Sequence, residues 1–237
     1  CIYCHSSETD FCRKGFPVKK GEPAIKLDAH DVYLTGCPLD EKISEMNWLQ
    51  HIGHPLAAFA VIMCDNPMVP ATGHRICNEC LKACIYQKQT PVDVPQIETH
   101  ILNQTLSLPW GVEIYDLLAR WNPLRPTQWA IKPASKESVL VMGLGPAGFS
   151  LLHHLSMEGL QVVGMDGMTL KPLPSDWVNQ PIKHYSDIYE DGEERPFRGF
   201  GGVSEYGITA RWDKNYLKLI QLMLMRRQIP MFGGARF

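Results

Sequence analysis

The chain has 237 residues, 45% hydrophobic and 20% charged, in the range of globular proteins and outside that of wholly disordered ones. Twenty-three basic against twenty-five acidic side chains give a net charge of −2, so no global field favours nucleic acid or an anionic membrane. No apolar run reaches the roughly eighteen residues that a membrane-spanning helix needs. The length suits one large domain or two ordinary ones. The chain starts at Cys1 rather than Met and stops at Phe237 shortly after a Gly-Gly pair, and it reads as part of a longer protein.

The first half reads as mostly helical. Asp40 to Gln50 carries a mixed amphipathic pattern, and Pro55 to Met63 is Ala-rich, apolar and suited to burial. Gln96 to Leu106 and Val112 to Trp121 place apolar residues at three and four spacing, with Pro91 and Pro95 marking the break before them. Residues 123–137 (PLRPTQWAIKPASKE) read as a linker between a domain at 1–122 and a second at 138–237. A short strand is predicted at Val139 to Met142, a helix opening at Pro146 and ending near Gly159, and a second strand from Val162. Tyr189 to Arg195 (YEDGEER) reads as a solvated charged loop. Lys214 to Gln228 is predicted to be a core helix, with a strand starting in Ile229 to Phe232.

The cysteines set the chemistry of the first half. All eight (Cys1, Cys4, Cys12, Cys37, Cys64, Cys77, Cys80 and Cys84) fall in the first 84 residues. Two residues separate Cys1 from Cys4 and Cys77 from Cys80, and three separate Cys80 from Cys84. Such spacing lets neighbouring sulfurs turn toward one metal ion or cluster, which disulfides rarely require. Structural zinc and iron–sulfur clusters both accept thiolates, and this spacing leaves the two open.

The second half carries a dinucleotide-binding pattern. Gly143, Gly145 and Gly148 form G-x-G-x-x-G between the predicted strand and helix, and Asp166 follows the second strand, eighteen residues after Gly148. Gly143 permits the tight turn, Gly145 lets a pyrophosphate approach the backbone, and Gly148 lets helix and strand pack closely. Pro146 and Ala147 open the helix, whose free N–H groups and dipole favour a phosphate. Asp166 is expected to accept hydrogen bonds from ribose hydroxyls. His153 and His154 read as core or surface residues rather than catalytic ones. No H-E-x-x-H, G-x-S-x-G or P-loop motif is present.

The segments CPLDEKISEMNWL, DNPMVPATGHRICNECLKACI and VDVPQIETHI together resemble the N-terminal iron–sulfur domain of glutamate synthase small subunits and of dihydropyrimidine dehydrogenase. Cys37, Pro38 and Ile43 match its first element, Asn66, Pro67 and Gly73 its turn, and Cys77, Cys80 and Cys84 its second cysteine group. Downstream, GGVSEYGITARWDKNYLKLI resembles the family segment that touches the flavin, with Gly201, Gly202, Gly207 and Arg211 at the matching positions. The resemblance implies an N-terminal all-α iron–sulfur domain of the helical ferredoxin kind, followed by part of a Rossmann-like FAD-binding α/β domain.

It further implies two [4Fe–4S] clusters with interleaved ligands: Cys1, Cys4, Cys12 and Cys84 for one, and Cys37, Cys77, Cys80 and Glu98 for the other. NAD(P)H, bound by a domain outside these residues, would reduce FAD. Electrons would then pass through the clusters to a partner subunit or domain like the glutamate synthase large subunit, in the cytoplasm, without nucleic acid or membrane. No side chain is expected to be catalytic. The sequence departs from the family in three places. Arg13 to Thr35 reads as an insertion between Cys12 and Cys37, Asp166 replaces the usual Glu, and Y-G-I-T replaces Y-G-I-P with a one-residue gap before Arg211. Cys64 has no counterpart among the ligands. It reads as a buried thiol, or as the substitute if Glu98 does not ligate. The rival reading is a zinc-stabilised scaffold joined to a nucleotide-binding domain, without electron transfer.

Overall fold

The computed structural model describes residues 1–7, 10–16, 27, 30–31, 34–73, 77–125, 131–167, 170–190 and 215–235. The chain divides into two compact units. The first comprises 1–69 and 73–105, and the second 70–72 and 106–237.

In the first unit, two short helices, α1 (Ile2–Ser6) and α2 (Phe11–Lys14), precede the longer α3 (Ile43–His51) and α4 (Pro55–Asp65). The α3 and α4 helices pack on each other across a tight turn at Gly53, whose φ of +83° lies in the left-handed region. Pro55 opens α4, where its missing N–H costs nothing. A single turn, α5 (Val69–Thr72), ends at Gly73, and its residues 70–72 are assigned to the second unit. The short α6 (Glu79–Lys82) and long α7 (Val94–Leu106) follow. Pro95 lies inside the first turn of α7 rather than before it, so the helix begins two residues ahead of the sequence expectation. The core is made by Ile43, Met46, Phe59, Ile62, Met63, Ile101 and Leu102, all buried.

The interval from Arg13 to Thr35 is clasped at its base. Cys37 N–H donates to the Cys12 carbonyl at 2.8 Å, and Arg13 makes a two-point pair with Asp40 at 2.8 and 2.9 Å. Gly15 and Gly36 both have positive φ, +75° and +78°, and lie where a side chain would strike backbone. A Cβ on Gly36 would stand 2.6 Å from the Arg13 carbonyl oxygen, so the two ends of the interval meet as bare backbone. Cys12 and Cys37 are thereby neighbours despite the residues between them.

The second unit is a mixed α/β assembly. The helix α8 (Gly111–Arg120) belongs to it, although the sequence reading ended the first domain at residue 122. The strands β1 (Ser138–Met142), β2 (Gln161–Met165) and β3 (Met231–Phe232) form a parallel sheet in the order β1-β2-β3. Ser138 pairs with Gln161 through to Met142 with Met165, and Gly164 and Met165 pair with Met231 and Phe232. Between β1 and β2 runs α9 (Pro146–Met157), which packs on both strands through Phe149 and Leu152. The short α10 (Ser175–Asn179), a 3-10 turn at Tyr185–Ile188 and α11 (Asn215–Arg226) complete the described elements.

The α11 helix is core, as its apolar spacing predicted: Leu217, Leu219, Ile220, Leu222, Met223 and Leu224 are buried. Its Lys218 is buried too, donating to the Ile188 carbonyl at 2.9 Å and pairing with Glu190 at 3.0 Å. Glu190 therefore braces the fold rather than lying in a purely solvated loop; residues 191–195 of that charged run lie outside the described residues. Arg226 joins α11 to α8 through Glu113 at 2.9 Å and Asp116 at 3.4 Å. Among the described residues, no helix is long and apolar enough to cross a membrane.

Candidate functional site

The two sequence-predicted groups of residues lie one in each unit. In the first unit, Cys1 caps α1, Cys4 lies within it, Cys12 sits in α2, and Cys84 follows α6. Packing of α2 against α6 draws these segments together. Cys1, Cys4, Cys12, Cys80 and Cys84 together line one cavity, with Phe11, Ile85, Val92 and Val94 as apolar wall, so the structure does not separate Cys80 from the first predicted ligand set. Cys4, Cys12, Cys80 and Cys84 are each only 7–8% exposed. Burial pushes the Cys12 thiol far above its ordinary range. The Asp10 carboxylate, which accepts a hydrogen bond from Cys12 Sγ at 3.4 Å, adds to that shift.

Cys37, Cys77 and Cys80 form a second neighbourhood around Glu98, which projects from α7 and is buried. Burial holds the Cys37 thiol up at about 11, with Glu41 reinforcing it, although the Glu41 and Leu39 backbone groups pull the other way. Cys77 and Cys80 are raised for the same first reason, and Glu98 is the charge acting most strongly on Cys80. The carboxyl of Glu98 is itself held well above its usual range by burial and then by the neighbouring Glu41 carboxylate. Buried thiols among anionic neighbours stay protonated unless a cationic centre compensates them.

Glu41 is the residue that sequence reasoning missed. It lies four positions after Cys37, and its acidity in a segment otherwise matched to a ligand element was the available signal. Cys64, expected to be buried, is only half-buried on α4 and does not line the cavity. None of the eight cysteines is in a disulfide. Among the described residues, no group of three or more His, Cys, Asp or Glu side chains is placed so that it could hold a metal ion.

In the second unit, β1 runs into the glycine turn. Gly143 has φ +96°, a conformation that favours glycine, and Gly145 caps α9 in extended backbone. A Cβ on Gly145 would meet nothing within 4 Å, so the backbone there faces open space. A Cβ on Gly148 would lie 2.9 Å from the Gly143 carbonyl carbon and closer still to its oxygen, which is the close helix–turn approach the pattern requires. Pro146 stands at the first helical position, followed by Ala147, so the free N–H groups of the first turn of α9 lie beside that open backbone. Asp166 directly follows β2 and is buried. Its Oδ2 accepts the Leu144 N–H at 2.5 Å, inside the glycine turn itself. The sequence reading assigned this carboxylate to a ribose; the structure also gives it a bracing contact on the turn. Gly201, Gly202, Gly207 and Arg211 lie outside the described residues.

His153 is fully buried and His154 exposed on α9, a core and a surface residue as expected. Arg227 lies 3.1 Å from His153 Nδ1 and donates to Ser156 at 3.0 Å.

No protein-family model matches the chain. Over 159 residues it is 52% identical to Uncharacterized protein RP006 of Rickettsia prowazekii (strain Madrid E), a match covering 67% of this chain and 22% of that protein. Over 55 residues it is 44% identical to Uncharacterized protein RP005 of the same organism, covering 21% of this chain and 19% of that protein. The chain thus spans about a fifth of the length of each relative.

Proposed function

We propose that the chain is an iron–sulfur flavoprotein oxidoreductase module similar to the glutamate synthase small subunit. Its helical unit would hold two [4Fe–4S] clusters, and its α/β unit would open a Rossmann-like FAD site. The observation that carries this reading is the gathering of the cysteines. Cys1, Cys4, Cys12, Cys80 and Cys84 line one cavity, and Cys37, Cys77 and Glu98 lie about Cys80. The family resemblance would divide these residues between two clusters, with Cys80 in the second set.

Bound in these sites, FAD and the clusters would supply hydride acceptance and one-electron transfer. The chain's own residues bind and tune. Four cysteines from three segments would staple α1, α2 and the turn after α6 together, so metal binding would be part of folding this unit. A carboxylate in place of a fourth thiolate is a harder donor, which would set the potential of the second cluster apart from the first. In the α/β unit, the open backbone at Gly145 and the free N–H groups of α9 are suited to a pyrophosphate, and Asp166 holds the turn in shape. The strand order, with β2 between β1 and β3, is that of half a doubly wound nucleotide-binding sheet.

NAD(P)H would enter through another domain, and electrons would leave to a large-subunit-like partner in the cytoplasm. The test is iron, sulfide, zinc and flavin analysis of the anaerobically purified full-length protein. About eight iron atoms and one FAD per chain are expected. Stoichiometric zinc without iron would replace this reading with a zinc-stabilised scaffold.

A further inference from the structure

Part of the stretch that the sequence reads as a linker is tied into the second unit and helps enclose a cavity there. Lys132 N–H donates to the Met157 carbonyl at 3.0 Å and Ser135 N–H to the Gly159 carbonyl at 2.7 Å, which lays residues 131–135 along the end of α9. The cavity has a volume of about 430 Å³, within the range of small-molecule sites. Its apolar wall includes Ile131, Leu160, Val162, Ile229 and Pro230, and Ser156, Gln161 and Gln228 are among its polar groups. Among the described residues, the charged side chains that line it, Lys132 and Arg227, are both cationic. It lies at the amino ends of the strands, beside Gln161, which opens β2, and Pro230, which precedes β3. The glycine turn and Asp166 follow the carboxyl ends of β1 and β2, so this cavity is separate from the nucleotide site proposed above.

The two cations differ in what they already meet. Lys132 is paired with Glu158 at the surface. Arg227, the residue after α11, donates from Nη1 to Ser156 Oγ at 3.0 Å and from Nη2 to His153 Nδ1 at 3.1 Å. Both acceptors are neutral, and each terminal nitrogen keeps a second N–H. Arg227 Nε has no hydrogen-bond partner among the described residues. Asp116, the carboxylate that acts most strongly on Arg227, is itself paired with Arg120 at 2.8 Å and Arg226 at 3.4 Å. Burial pulls the Arg227 guanidinium down to about 10 despite that carboxylate, so an anion in the cavity would relieve a charge held at a cost. We propose that the cavity binds a small organic acid, with its carboxylate on the Arg227 guanidinium and its apolar body against Leu160, Val162 and Ile229. A planar guanidinium matches a carboxylate at two points, and the Lys132–Glu158 pair leaves one positive charge to answer, which favours a monoanion over a dianion.

The experiment is isothermal titration calorimetry of the full-length protein with hexanoate and with hexanamide, its neutral isostere. Hexanoate should bind at least about tenfold more tightly, the discrimination that a charge-assisted hydrogen bond supplies. Equal affinity for the two probes, or no binding of hexanoate, would overturn the proposal. Arg227→Gln should abolish the preference while leaving hexanamide binding unchanged, and a variant that still prefers hexanoate tenfold would show that the acid does not sit on Arg227. Should Arg227→Gln fail to fold, Ser156→Asp provides the second variant, because it sets a carboxylate on the guanidinium from within the chain. It should weaken hexanoate at least about tenfold, and wild-type affinity for hexanoate in Ser156→Asp would equally refute the site.

Discussion

Two glycines three residues apart in one motif should respond to the same substitution in opposite ways. In an unconstrained helix, Gly→Ala gains about 1 kcal/mol from backbone entropy and propensity. Gly148 lies two positions inside α9, so that gain is on offer. There, however, a Cβ would stand 2.9 Å from the Gly143 carbonyl carbon and closer to its oxygen, and also 3.6 Å from Val141 Cγ1. The obstacle is backbone held by the Gly143 turn at φ +96°, not the end of a flexible side chain. The turn and helix would have to part by roughly 1 Å to restore ordinary contact. Overpacking of that kind costs about 1–3 kcal/mol, so Gly148→Ala should be destabilising despite its helical position. A net loss of up to about 2 kcal/mol corresponds to a fall in Tm of up to about 6 °C for a unit of this size. Gly145→Ala meets nothing within 4 Å and has ordinary extended backbone, so its stability should stay within about 0.5 kcal/mol of wild type while its flavin content falls. Calorimetry of the intact protein, with and without added FAD, separates the two. If Gly148→Ala raised Tm in the absence of flavin, the packing argument for the third glycine would be wrong.

Other perturbations follow from the same geometry. Cys84→Ser and Cys77→Ser should each remove about half the iron and loosen the helical unit, while Cys64→Ser should leave the metal content unchanged; iron assay and circular dichroism check both, and iron loss from Cys64→Ser would reassign the second ligand set. Asp166→Ala strands the Leu144 N–H inside the turn and should cost about 1–3 kcal/mol even without nucleotide, whereas Asp166→Asn keeps an acceptor and should lose less; urea unfolding distinguishes them. His153 has its pKa pushed well below the ordinary 6.5 by burial, and then by Arg227, His154 and Arg125. Its contribution to stability is complete above the unfolded value near 6.5 and is lost as pH falls below it, by up to about 1.4 kcal/mol per pH unit for one proton. His153→Gln should flatten that acid slope in urea unfolding between pH 7.5 and 5.5, and an unchanged slope would acquit this residue.

The elements that could be read from the chain are those whose signals are local. The strand, glycine turn, helix and second strand around Gly143 and Asp166 appear where expected, because turn geometry and hydrophobic period are both written within about thirty residues. The helical spacing of α7, α8 and α11 likewise located them to within a few residues. What escaped depends on contacts between distant segments. α8 belongs with the second unit because Glu113 and Asp116 meet Arg226, more than a hundred residues on. Nothing near Asp166 in sequence announces its contact with the Leu144 N–H. The interval between Cys12 and Cys37 reads as a long separation, and a linear spacing cannot show that Gly15 and Gly36 meet.

That meeting point closes the backbone on itself beside Cys12 and Cys37. Because the backbone closes on itself at two glycines, the placement of Cys12 beside Cys37 is decoupled from how many residues leave and return between them. Loop-closure entropy changes by only about 0.6 kcal/mol for each doubling of length. A change in the number of residues between Gly15 and Gly36 therefore adds little entropic cost to holding Cys12 beside Cys37.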